Sequence, residues 1–423
     1  MSTISPVGKS TAAPSTSTYL WTVVALLWPV ALLNYLDRQM LASMKFSVMQ
    51  DIPSIGTEAH WGFLPASFKW VYAGLSPFGG YIADRFSRRW VIVGSLFVWS
   101  VVTWLTGHVH TFEHLVATRA LMGVSEAFYI PAALALISEF HSSFTRSRAV
   151  GFHQTAIYMG VMVGGFSGYV AEDSALGWRL AFTVCGVVGI VYAIPLLFLL
   201  RDPIQHTGPI KERASSPLAS VRELLGNRSF LLLVLYFTLP ALAGWIVRDW
   251  MPAILKQRFG IGQGKAGVSA TLYVNIATVF GGLAGGWLAD RWMRRSARGR
   301  IFVSAIGMSL IIPALLGVGF GQTLGVAVAF LVMFGLGWGA FDSNNMPILC
   351  QIARPHLRAT GYGLMNLISI SCGGFADWGF GALRDRNVPL PIVFGLFAGA
   401  AAIALVLVLL IRPRNLETSS TVS

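Results

Sequence analysis

Charge is what this sequence has least of. Only 12 % of its 423 residues are Asp, Glu, Lys or Arg, about half the share that keeps a water-soluble domain solvated. Apolar residues make up 55 % and mean hydropathy is +0.64, so most of the outer surface must face lipid. Cysteine is scarcer still: Cys185, Cys350 and Cys372 lie far apart, in or beside apolar runs. That excludes a disulfide framework or a zinc cluster and reads as small buried side chains. No His-x-x-x-His, cysteine cluster or Gly-x-Ser-x-Gly occurs in the apolar runs, which argues against an enzyme. The stretch after Ile411 is too short for the signalling domain of a solute sensor. The run Gly260-Ile-Gly-Gln-Gly264-Lys265-Ala266 superficially suggests a phosphate loop. It fails because no strand precedes it and Ala266 stands where Ser or Thr is required.

What is abundant is glycine, 45 residues, as expected where helices pack closely in a bilayer. A hydrocarbon core of roughly 30 Å takes about 20 apolar residues per helix. On that basis helices are expected near 20–48, 61–83, 89–107, 112–138, 148–171 and 179–200, then 229–256, 266–289, 300–320, 323–346, 357–382 and 390–411. The expected organisation is a disordered cytoplasmic tail at 1–19, a six-helix bundle at 20–200 and a cytoplasmic linker at 201–228. A second six-helix bundle at 229–411 and a short tail at 412–423 complete it. A signal peptide is a poor reading of the N-terminus, because the first apolar run is long, contains Asp37 and Arg38, and lacks a cleavage site. Trp21, Trp61, Trp90 and Trp178 fall near span ends and read as interfacial anchors.

The net charge of +13 does not point to nucleic acid, because the basic residues form short clusters between apolar runs, with no basic face or arm. Twenty of them fall in one set of alternate loops and seven in the other. By the positive-inside rule both termini and the central loop are expected in the cytoplasm, with the chain in the inner membrane of a bacterium. Four bases, Arg38, Lys69, Arg119 and Arg248, fall inside the expected spans and need another explanation.

Internal repetition fixes the architecture. Gly80-Tyr-Ile-Ala-Asp84-Arg85-Phe-Ser-Arg88-Arg89 recurs, 206 residues on, as Gly286-Trp-Leu-Ala-Asp290-Arg291-Trp-Met-Arg294-Arg295. Arg148-Ala-Val-Gly151-Phe152 matches Arg358-Ala-Thr-Gly361-Tyr362, and Gly164-Gly165-Phe166 matches Gly373-Gly374-Phe375, at nearly the same offset. In each turn the glycine lets helix ends approach, and the aspartate can meet a neighbouring helix N-terminus or an arginine. The trailing arginines suit an anionic inner surface. A releasable conformational latch is the preferred reading; a purely topogenic basic loop is the alternative. The doubled turn resembles the signature loop of the major facilitator superfamily, although Ser87 stands where glycine is usual. The resemblance extends from about residue 20 to 411. It implies an all-α fold of twelve transmembrane helices in two pseudo-symmetric bundles around a central cavity, working by alternating access.

The charges inside the spans carry the chemistry. Asp37 and Arg38 are adjacent in the first helix, and Arg119 and Glu126 share one face of the fourth at a spacing of seven. Ionisable groups at membrane depth are costly and face an interior. These four are therefore expected to neutralise one another. Either they form a permanent cluster joining two helices, or Asp37 and Glu126 exchange protons while Arg38 and Arg119 alternate between carboxylate and cargo. Asn34-Tyr35-Leu36-Asp37-Arg38, with Arg119, Glu126 and Pro131-Ala, resembles the anion:cation symporter family of galactonate, hexuronate and sialic acid carriers. That resemblance implies proton-driven uptake with the acids as proton sites and an arginine at the cargo's carboxylate. Gly361 to Asn366, followed by Gly373-Gly374, resembles the same family's helix-11 pattern. The constellation is also similar to the Spinster family of lysolipid and sphingolipid transporters.

Departures from the symporter pattern concern the cargo. Lys69 either reaches the cavity or snorkels outward. Arg248-Asp249 is the seventh helix's counterpart of Asp37-Arg38 with the order reversed, and the tenth helix carries Asp342, Asn344 and Asn345. With Tyr35 and Asn366 these are the expected cargo contacts. His153, Gln154 and Tyr158 in the fifth helix either line the cavity or pack in the core. Gly160, Gly164 and Gly168 form a small-residue stripe there, suited to helix contact. The superfamily's proline-containing antiporter pattern is absent, favouring symport. The expectation is a monomer that takes a small organic anion such as a sugar acid, the alternatives being a lysolipid-like amphiphile or a neutral or amino sugar, with no metal or cofactor and a proton gradient as the driving force.

Overall fold

The computed structural model describes residues 17–142, 145–202, 217–354 and 357–413; the side chains of 17–18, 79–84, 147 and 217–218 lie outside the description. The first half comprises α1 (Ser17–Ser43), α2 (Lys45–Asp51), α3 (Glu58–Arg85), α4 (Arg88–Thr106), α5 (Phe112–Glu126), α6 (Tyr129–Phe140), α7 (Arg146–Gly165), α8 (Ser167–Glu172) and α9 (Gly177–Leu199). A short helix α10 (Pro217–Leu225) follows. The second half comprises α11 (Arg228–Asp249), α12 (Met251–Phe259), α13 (Gln263–Met293), α14 (Gly299–Phe320), α15 (Leu324–Ile352), α16 (Arg358–Asp385) and α17 (Leu390–Leu410). Successive pairs α1–α2, α5–α6, α7–α8 and α11–α12 each make one crossing, so the fold has twelve transmembrane helices, the architecture expected from the repeats. Within the stretch read as a linker, α10 is amphipathic and buries Leu224.

Nine of the crossings among the described residues are long and apolar enough to span a bilayer on those grounds alone. The other three, α3, α7–α8 and α16, share a position: α3 packs along α16, and α7–α8 along α13, where the two halves meet. Polar side chains of these spans, among them Lys69 of α3 and Asp377 of α16, are buried against each other at that interface, so these spans need not be apolar on every face.

The breaks have local causes. Pro131 cannot donate to the carbonyl of Ala127, and Pro252 cannot donate to that of Arg248, so each ladder loses a bond one turn upstream. Both interruptions leave a carboxylate, Glu126 or Asp249, as the last residue of a helix. A negative charge is disfavoured there by the helix dipole unless a cation stands beside it.

The face bearing the repeated turns is here called the basic face. On the opposite face the halves are in contact. Asp385, ending α16, accepts the backbone N–H groups of Glu58 and Ala59 at 2.8 Å each, capping α3 across the interface. Glu172, ending α8, does the same for α13, accepting from Gln263 N–H and, at 3.2 Å, from Gly264 N–H. The two contacts are pseudo-symmetric: an acid ending one half's helix satisfies orphan donors that begin a helix of the other. Close approach is needed around them. A Cβ on Gly381 would stand 2.2 Å from the Glu58 carbonyl oxygen, and one on Gly62 would stand 2.3 Å from that of Asp377.

Candidate functional site

Between the halves lies a cavity of about 420 Å³, lined from mid-membrane toward the basic face. At its deep end Arg38 sits among Tyr35, Phe68 and Tyr72, with ring centroids 4.8, 4.6 and 5.0 Å from the guanidinium carbon. Its Nε donates to Glu126 Oε2 at 2.6 Å, and Nη2 lies at the same distance. Glu126 is fully buried, whereas the Arg38 side chain is 13 % exposed. Behind them Asp37 accepts from Arg119 Nη1 at 3.4 Å and from Thr103 Oγ1, while Arg119 Nη2 donates to Thr106 Oγ1 at 2.9 Å. The two acids and two bases of α1 and α5 thus form two ion pairs inside the first half. One pair borders the main cavity and the other lies a layer deeper, with Asp37 buried.

The second half contributes differently. Arg248 shares the Tyr35 ring with Arg38, its guanidinium carbon 5.0 Å from the centroid. Arg248 Nη2 is buried without a hydrogen-bond partner. Gln39 Nε2 donates to the Arg248 carbonyl at 3.2 Å, tying α1 to α11. Lys69 is 3 % exposed and does not snorkel. Its ammonium meets Asp249 at 2.5 Å and also Asp377 of α16, with the Trp245 ring centroid 4.2 Å away.

Tyr35, Arg38, Gln154, Tyr158, Arg248, Asp342 and Asn366 line the main cavity, and Lys69, Arg119 and Asp249 border a small side pocket beside it. Asn344 and Asn345 are buried off the lining, and Asn344 Nδ2 turns back to the Ala340 carbonyl at 2.9 Å. His153 is likewise a core residue, its Nε2 3.0 Å from the Tyr129 hydroxyl, which donates to the Leu27 carbonyl. Sequence reasoning missed Asp377, which has no base beside it in sequence; a search for every carboxylate in the apolar helices would have found it. It also missed Gln39, Tyr72 and Trp245, which carry no signal apart from their position on a helix face.

In the repeated turns the described contacts stay within each half. Arg88 pairs with Glu139, and Arg89 N–H donates to Asp202 at 3.0 Å. Ser87 accepts from Trp90 N–H at 3.4 Å, capping α4. Asp290 pairs with Arg300 at 2.9 Å, while Arg85, Arg291, Arg294 and Arg295 are exposed. Gly286 has open space about it. The side chains at 80 and 84, including the candidate Asp84, lie outside the described residues.

The family model described as Major Facilitator Superfamily matches residues 27–376. Protein spinster of Drosophila melanogaster is 28 % identical over 84 % of this chain, a stretch that spans 60 % of the fly protein. "Probable galactarate/D-glucarate transporter GudP" of Bacillus subtilis is 27 % identical, covering 97 % of this chain and 94 % of that protein. Among solved structures, a bacterial homolog of the human lysosomal transporter Spinster, crystallised inward-facing and unoccupied, superimposes with a TM-score of 0.75. It is 19 % identical and covers 94 % of this chain and 95 % of its own, a likeness of fold.

Proposed function

The chain belongs to the Major Facilitator Superfamily, and from that premise we propose that it is a proton-coupled symporter of a small organic anion. The observation that carries this reading is the Arg38–Glu126 pair at the cavity wall. A cargo carboxylate and the Glu126 carboxylate compete for one guanidinium. Protonating Glu126 releases Arg38 to the cargo, and binding the cargo raises the proton affinity of Glu126. Proton and anion therefore bind together, which is the thermodynamic requirement for symport. Asp37 and Arg119, one layer deeper, hold the electrostatic background against which Arg38 switches. Arg248, with its uncommitted Nη2, supplies a second cation to the same anion across the Tyr35 ring. The printed name of the Bacillus subtilis relative supports a sugar acid as cargo.

The excess of Lys and Arg on the basic face supports a cytoplasmic position for that face. The cavity then opens inward, and the two capping contacts close the outside. A second reading, transport of an anionic amphiphile, is favoured by the cavity's apolar wall of Phe237, Trp245, Phe334, Trp338 and Phe341. Uptake into proteoliposomes separates the two. Sugar acids, amino sugars and lysolipids are offered with and without an inwardly directed proton gradient. Sugar-acid accumulation that follows the gradient is expected, and Glu126→Gln should abolish accumulation while keeping cargo exchange. Undiminished gradient-driven uptake by Glu126→Gln would remove Glu126 from the coupling; uptake of lysolipids alone would select the amphiphile.

A further inference from the structure

Lys69 differs from the other buried cations of the first half because both its partners belong to the second. One ammonium meets two carboxylates, Asp249 at the end of α11 and Asp377 in α16. Asp377 is 0 % exposed, and its Oδ1 is buried without a hydrogen-bond partner. The Asp249 side chain is 14 % exposed and borders the side pocket with Arg38 and Arg248. The charged groups facing Asp377 are Lys69 from α3 and Asp249 from α11; Arg248, next in α11, is directed at Tyr35. Trp250, whose ring lies 4.8 Å from that of Phe380, is neutral and turns its indole N–H toward Asp377. With both acids ionised, one ammonium faces two carboxylates. Arg248, which borders the side pocket with Asp249, offsets the charge of Asp249, and the fully buried Asp377 is left with a desolvation cost of several kcal/mol. Two carboxylates that share a site avoid that cost by retaining a proton between them.

We infer that Lys69, Asp249 and Asp377 form a second proton-binding site, separate from Glu126, whose occupancy is tied to closure of the face opposite the basic one. The tie is geometric. Lys69 reaches both acids only when α3 lies against α16, where Gly62 touches the backbone of Asp377. Parting the halves at that face separates the acids from Lys69 and admits water, which takes up the proton they share. Closing takes up one proton, because a single ammonium balances a single carboxylate. Acid therefore favours the closed face and alkali the open one. Lys69 positions the acids, and Asp249, the member bordering the pocket, is the side toward which the proton leaves.

The inference rests on the transporter reading only in requiring that this face open; it is independent of the role given to Glu126. The test is electron–electron distance measurement between spin labels at Ser174→Cys and Arg386→Cys, exposed positions on opposite halves of that face. Cys185, Cys350 and Cys372 are replaced beforehand. In the parent, the long-distance population is expected to grow as pH rises. Asp377→Asn, which mimics the protonated acid, should lose that shift and stay closed, and Asp249→Asn should do the same if Asp377→Asn does not fold. Glu126→Gln should keep the shift. Infrared difference spectra of the unlabelled parent between acid and alkaline pH are expected to contain a protonated-carboxyl band that Glu126→Gln keeps and Asp377→Asn loses. An unchanged pH midpoint in Asp377→Asn, or loss of the shift in Glu126→Gln, would overturn the inference. So would a parent distance that never responds to pH, while leaving the uptake result for Glu126 intact.

Discussion

The two halves of this protein share a fold and treat buried charge in opposite ways. In the first half, Asp37 and Arg119, and Arg38 and Glu126, find partners inside one bundle. A rigid-body movement of one half against the other leaves such pairs intact, so in the symport proposed above they set proton and anion affinity without resisting the movement. In the second half, Asp249 and Asp377 have Lys69 of the first half as their cation. Any parting of the halves at that face must break that contact. The lesson is that pairing within a bundle suits a binding site, whereas pairing between bundles suits a gate. At the helix ends the halves agree, since Glu172 and Asp385 use the same capping chemistry across the interface.

That comparison can be broken or sharpened by substitution. The largest effect is expected from Arg119→Met, which leaves Asp37 buried with no cation; the loss should reach about 3–5 kcal/mol. Thermal unfolding in detergent should show it, and the Asp37→Asn/Arg119→Met double variant should recover most of the loss. Full stability of the single variant would mean that the inner pair is not a closed unit. Next comes Gly381→Leu, whose side chain has no room against the Glu58 carbonyl. Overpacking of about 1–3 kcal/mol should shift the closed face toward open by about 5- to 150-fold, read as a longer distance between labels on the two halves. Asp385→Asn and Glu172→Gln should each cost about 0.5–2 kcal/mol of closure, the worth of a helix cap. The two should be similar by the same distance measurement; a large inequality would refute the symmetry of the caps. Smallest is Asp290→Ala. Its pair with Arg300 has the carboxylate 69 % exposed, so the change in unfolding temperature should correspond to less than about 1 kcal/mol.

Much of this was readable in the chain. The repeated turn and its near-constant offset gave two halves, and the apolar runs gave the crossings, because a bilayer sets the length of each. The spacing of Arg119 and Glu126 put them on one face, and their pairing with α1 followed from the cost of leaving either alone. The ends of helices were harder. The first expected span, 20–48, is divided at Met44, and the fourth is divided just after Glu126, where Pro131 acts on a carbonyl one turn away. The asparagines of the tenth span looked like cargo contacts by composition, yet Asn344 and Asn345 point into the bundle, because a polar run four residues long must present more than one face of a helix.

The sequence by itself determined which residues leave water, how many helices they form, and that a few charges at membrane depth must be compensated. Those outcomes depend on solvation and on the 3.6-residue period, both local to each segment. Only the tertiary structure decided which charge compensates which. Lys69 meets Asp249 and Asp377 across 180 and 308 residues of chain, and no period or composition encodes a neighbour on another helix. The packing of α3 on α16, set by glycines where the backbones touch, turned a lone lysine and two separated aspartates into a contact between the halves.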